Sequence, residues 1–101
     1  MFAEFATKYI AQNPETPART IEGEAIVITP HDSTLHTLNQ TATFIWDRAD
    51  GNRTLGQICT ELLETFAVDE ATAHQDAGAF VHEAVQKGLM LAGDKPIPVT
   101  I

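Results

Sequence analysis

The apolar pattern of this chain changes period once. Ala25 to Thr29 is a short apolar, β-branched run, and Leu35 to Leu38 reads as a further short strand. From Asn39 onward the apolar residues recur at i, i+3, i+4 and i+7 instead. A sheet must come first and helices after it, and each must bury its apolar side on the other.

The punctuation divides the chain further. Glu22-Gly23 is a tight turn before Ala25–Thr29, and Pro30-His31-Asp32-Ser33 is a second turn. These turns predict a three-stranded antiparallel meander whose third strand is Leu35 to Leu38. Asn39 stands where an N-cap belongs, and Ala42, Ile45, Trp46 and Ala49 form the stripe of a first helix. Asp50-Gly51 ends that helix with a left-handed turn. Thr54 to Gln57 has the pattern of a capping box, and Leu55, Ile58, Cys59, Leu62, Leu63 and Phe66 make the next stripe. Asp69 caps a last helix that ends near Lys87-Gly88. The order is β-β-β-α-α-α. The expected fold is α+β: a winged helix-turn-helix-like domain, with a three-stranded antiparallel sheet followed by three helices.

The ends are less regular. Phe2, Phe5, Tyr9 and Ile10 lie at near-helical spacing, and the prolines of Asn13 to Pro17 interrupt them. Residues 1–17 therefore read as an N-terminal arm or short helix, 18–92 as the domain, and 93–101 as an extended tail.

Composition narrows the function. A chain of 101 residues is one domain and holds one core. Fourteen acids against six bases give a net charge of −8, which repels nucleic-acid phosphates and anionic lipid. No apolar run is long enough to span a bilayer, and the first residues lack a secretory signal pattern. The cytoplasm is the expected location. One cysteine, Cys59, excludes an internal disulfide, and its place in a stripe makes it a small buried apolar residue.

Reaction chemistry finds little to work with. His74 and His82 are eight residues apart on one helix, ~12 Å along its axis, too far to share a metal. Ser33, in a turn, is the one serine, and there is no phosphate-cradling glycine loop. Glu61, Glu64, Asp76 and Glu83 are spaced as solvated helix faces. The expectation is no catalysis, no cofactor and no metal.

Leu38-Asn39, Ala42/Ile45/Trp46, Asp50-Gly51/Arg53-Thr54, Ile58/Leu62, Phe66/Val68-Asp69 and Lys87-Gly88-Leu89 together form a pattern that resembles the PqqD family. The resemblance covers residues 18 to 91. It departs from the pattern at Leu35-His36, where many relatives carry an aromatic residue. It implies a recognition element for ribosomally made, post-translationally modified peptides, with a winged-helix fold that binds peptide instead of DNA. It further implies that the leader segment of a precursor adds as a strand to the third strand and lies against the third helix. The bound leader is then presented to a modifying enzyme, often a radical S-adenosylmethionine (SAM) enzyme.

Strand addition needs free backbone groups at an edge, which Thr34, Leu35, His36, Thr37 and Leu38 can offer. On the last helix, Ala73, Ala77, Phe80 and Ala84 centre the core face, with His74, Gly78, Val81 and Val85 along one flank. That flank is the expected helix side of the peptide site. A mid-helix glycine costs about 1 kcal/mol relative to alanine, so Gly78 marks either a close approach of the bound backbone or a tight internal contact. The partners expected are a basic leader peptide and its modifying enzyme, with the protein a monomer or homodimer. A DNA-binding winged helix is the alternative from another class. Against it, residues 69 to 90 carry Asp69, Glu70, Asp76 and Glu83 and Lys87 as the one base. An adaptor for a folded protein is the other.

Overall fold

The computed structural model describes residues 1–98. Its elements in order are α1 (Phe2–Phe5), β1 (Tyr9–Gln12), β2 (Ala18–Ile21), β3 (Glu24–Ile28), β4 (Leu35–Thr37), α2 (Gln40–Arg48), β5 (Asp50–Thr54), α3 (Leu55–Thr65), α4 (Glu70–Gln86) and β6 (Met90–Gly93). The meander and the three helices stand where the periodicity puts them. A short helix lies within residues 1–17, and a second sheet is added.

The first sheet has the order β2-β3-β4, antiparallel throughout. Glu22 and Gly23 both take positive φ, 52° and 83°, a pairing whose twist matches that of a two-residue hairpin. Along β3, Ala25 and Val27 face inward and are buried, and Thr29 continues that face just past the strand end. Thr43 on α2 ties this sheet to the helices. Its hydroxyl accepts from the Ala25 N–H at 2.9 Å and donates to the Leu38 carbonyl at 3.3 Å.

The second sheet has the order β5-β1-β6, with β1 in the middle. Ile10 and Ala11 point to opposite faces and both are fully buried, so the sheet is covered on both sides at its centre. Residues 1–17 hold a short helix, α1, and also the central strand of this sheet. α2 ends earlier than Asp50-Gly51, at Arg48 with Ala49 as its cap, and Gly51, with φ +85°, lies inside β5 instead of turning the chain straight into α3. The expected tail begins inside β6, at Gly93, and further along it Ile97 donates its N–H to the Gly51 carbonyl of β5 at 2.8 Å. The end of the expected tail, 99–101, lies outside the described residues.

Three helix starts follow their local signals. The Asn39 side chain accepts from the Ala42 N–H at 2.8 Å. Thr54 and Gln57 make a reciprocal capping box, and Asp69 accepts from the Thr72 N–H at 2.6 Å. That backbone bond holds the Asp69 carboxyl below its ordinary value. At the far end of α4, Gly88 has φ +77° and Leu89 N–H donates to the Ala84 carbonyl at 2.8 Å, a left-handed helix stop.

Ile10, Val27, Ile45, Leu55, Ile58 and Leu62 centre a single core with Trp46, Val81 and Met90. Cys59 is buried within it, and desolvation pushes its thiol up to about 11. It is protonated and packed at neutral pH, the opposite of a nucleophile's setting.

Gly78 is explained by α1. A Cβ there would stand 2.4 Å from the Phe2 nitrogen and 2.7 Å from the Phe2 Cα. The close backbone is therefore the chain's own N-terminus, seated further by the Phe2 ring, which stacks on His74 at 4.0 Å and 1°. We expect Gly78→Ala to lift α1 from α4 and cost about 1–3 kcal/mol, the usual range for overpacking. A denaturant melt measures the cost, and loss of the Phe2 ring-current shift on His74 reports the displacement. An unchanged His74 shift would contradict this reading of the contact.

A groove between the free edge of β4 and α4

β4 has β3 as its neighbour on one side and, among the described residues, no strand on the other. Two flanking bonds set which backbone groups are free. Leu38 N–H donates to the Ala25 carbonyl, and Thr29 N–H donates to the Thr34 carbonyl. Bonded and non-bonded pairs alternate along an antiparallel ladder. With Val27 opposite His36, the groups of Thr34, His36 and Leu38 turn toward β3. Those of Leu35 and Thr37 turn to the open edge.

Side chains divide by the same alternation. His36 and Leu38 point to the helices, and Leu35 points to the outer face, 59% exposed. The His36 ring is half-buried, with Nε2 2.9 Å from the Thr29 hydroxyl, which fixes its direction.

Opposite this edge lies α4, and a cavity of about 310 Å³ separates the two. Its floor is apolar: Leu38, Ala42, Ile45, Leu62, Ala73 and Ala77. Its helix wall is a stripe of Thr72, Asp76, Phe80, Glu83 and Lys87. Glu83 and Lys87 are bonded to each other, and that bond holds the Glu83 carboxyl below its ordinary value. Phe80 is half-buried, a large ring at the middle of the wall. Such a space suits an extended peptide: free ladder groups along one side, and an apolar slot for alternate side chains beneath.

The strand residues expected from sequence, Thr34 to Leu38, thus lie at or beside the groove. The four helix residues do not line it. His74 is stacked under Phe2, Gly78 lies against the α1 backbone, Val81 is 0% exposed, and Val85 packs half-buried against the core. The reason is rotational. α1 takes the His74/Gly78 flank, so α4 presents its other flank to β4. The sequence reading missed Thr72, Asp76, Phe80, Glu83 and Lys87. A signal for them was present, since Ala73, Ala77 and Ala84 are too small to fill a helix–sheet interface and leave a hollow beside Phe80.

Among the described residues no three His, Cys, Asp or Glu side chains come together to hold a metal. No described helix is long and apolar enough to cross a membrane.

Residues 24–90 match the family model described as Coenzyme PQQ synthesis protein D (PqqD). The chain belongs to the PqqD family. No curated protein matches it. Two solved structures share the fold. One is TbiB1 in complex with the TbiA(beta) leader peptide: 18% identity, TM-score 0.70, covering 79% of this chain and 93% of that one. The other is lasso peptide synthetase B1 complexed with the leader peptide: 19% identity, TM-score 0.70, covering 82% and 98%. The family match begins at the start of β3 and ends at the start of β6, so it takes in both walls of the groove.

Proposed function

We propose that this protein is a non-catalytic peptide chaperone. It captures the leader segment of a ribosomal precursor peptide as an added strand on β4, and presents it to a modifying enzyme of the radical SAM class. The observation that carries the reading is the free edge of β4 facing an apolar-floored groove of about 310 Å³. Membership of the PqqD family supports it, as do two neighbours of the same fold that are themselves complexes with leader peptides. Newly made ribosomal peptides are met in the cytoplasm, which is where the proposed work is done.

Affinity rests on a few anchors. Each added ladder bond contributes about 1 kcal/mol net, and a buried aromatic contact contributes more. The test is a fluorescence-anisotropy titration with the leader half of the cognate precursor peptide. We expect saturable one-to-one binding, weakened by about 2 kcal/mol in Phe80→Ala, the scale of a truncated hot-spot aromatic. A protein that binds no leader, or a Phe80→Ala variant that binds as the parent does, would remove this groove from the function. Co-elution of the leader complex with a radical SAM enzyme that modifies the same precursor tests the second half of the proposal.

A further inference from the structure

Among the described residues, the groove holds one charge that nothing answers. Three formally charged side chains line it: Asp76, Glu83 and Lys87. Glu83 and Lys87 neutralise each other. The polar groups near the start of α4 are engaged as well: the Thr72 hydroxyl donates to the Asp69 carboxylate at 2.8 Å. Across the groove, the Asn39 side chain accepts from Ala42 N–H and the Thr41 hydroxyl. Asp76 has no ion-pair partner among the described residues and stands exposed on the wall.

Its distance from the apolar slot has the period of a strand. Asp76 and Phe80 are one turn apart on α4, ~6 Å along the axis. Alternate side chains of an extended peptide are ~6.8 Å apart. A strand laid along α4 with one side chain against Phe80 brings the side chain two positions away to Asp76.

We propose that Asp76 is a specificity-determining residue that selects a peptide with a lysine or arginine two positions from its apolar anchor. This rests on the peptide-capture reading and goes beyond it by assigning the chemistry and spacing of two ligand residues. The net charge of −8 draws basic peptides to the protein as a whole. Asp76 gives that attraction one position.

The experiment presents the full chain with a display library of random twelve-residue peptides, in parallel for the parent, Asp76→Asn, Asp76→Lys and Phe80→Ala. The parent should enrich a large apolar residue with lysine or arginine two positions to one side. Asp76→Asn should keep the apolar residue and lose the basic one. Asp76→Lys should replace it with aspartate or glutamate at the same spacing. In titrations, an enriched peptide should bind the parent about two- to fivefold better than its lysine-to-glutamine version, the scale of an exposed ion pair. The two should bind Asp76→Asn equally. Apolar enrichment without a basic position, or a basic position indifferent to Asp76, overturns this inference and leaves peptide capture standing. No enriched pattern in the parent, or one unchanged in Phe80→Ala, overturns the groove itself and this inference with it.

Discussion

Trp46→Ala is expected to destabilise the protein by about 3–5 kcal/mol, the usual cost of removing a buried aromatic side chain. Trp46 is 3% exposed and lies in the core with Ile45, Ile58 and Leu62. Its backbone carbonyl accepts from the Gln12 side chain at 2.7 Å, so α2 is fastened to the central strand of the second sheet at the same residue. Trp46 follows Ile45 on α2 and stands one turn after Ala42, and both of those residues floor the groove. Stability and peptide affinity should therefore fall together. Trp46→Phe keeps most of the volume and should recover much of both. Denaturant melts followed by circular dichroism measure the loss. A cost under about 1 kcal/mol would contradict the buried placement.

The second large effect is expected from two prolines placed one residue apart. The N–H of Thr37 points to the open edge of β4, and that of His36 points to β3. Proline is tolerated where a strand's N–H faces solvent and is disruptive where it serves the ladder. Thr37→Pro should keep the fold and lose peptide binding, because it removes a free donor and puts a ring in the path of the incoming strand. His36→Pro should break the β3–β4 ladder and lower stability by at least the ~0.5–1.5 kcal/mol of one such bond. Thermal melts and anisotropy titrations on both variants separate the outcomes. Equal stability losses in the two would mean that the edge is not oriented as described.

The parts of this fold that sequence reasoning recovered are those fixed by local chemistry. Asn39, Thr54 with Gln57, and Asp69 cap their helices through bonds spanning three residues. Glu22-Gly23 turns the chain between adjacent strands. Leu35 to Thr37 follows its turn directly as β4.

The second sheet was hidden because its pairings are long-range and its strands carry weak patterns. Tyr9 pairs with Thr54 and with Gly93, and the register of β1 on β5 shifts between Tyr9 and Ala11. Asp50-Gly-Asn-Arg-Thr54 is polar throughout and reads as a turn, but it is a strand because β1 supplies its partner. The groove wall was hidden for a related reason. Periodicity gives the core face of α4 but not what covers its two flanks. His74 reads as a groove-edge imidazole until Phe2 is found stacked on it. Phe80 reads as core until the small side chains of Ala73, Ala77 and Ala84 are seen to leave space beside it.

Peptide capture by the edge of β4 has a signature in hydrogen exchange. In the free protein the amides of Leu35 and Thr37 point to solvent and should exchange fast, and those of His36 and Leu38 should already be protected by β3. A bound leader peptide that adds as a strand must protect Leu35 and Thr37 and change little at His36 and Leu38. Residue-resolved exchange by NMR, with and without saturating peptide, tests this directly. Protection gained at both Leu35 and Thr37 is the expected result. A peptide that binds and leaves these two amides exchanging as fast as before would contradict strand addition at β4.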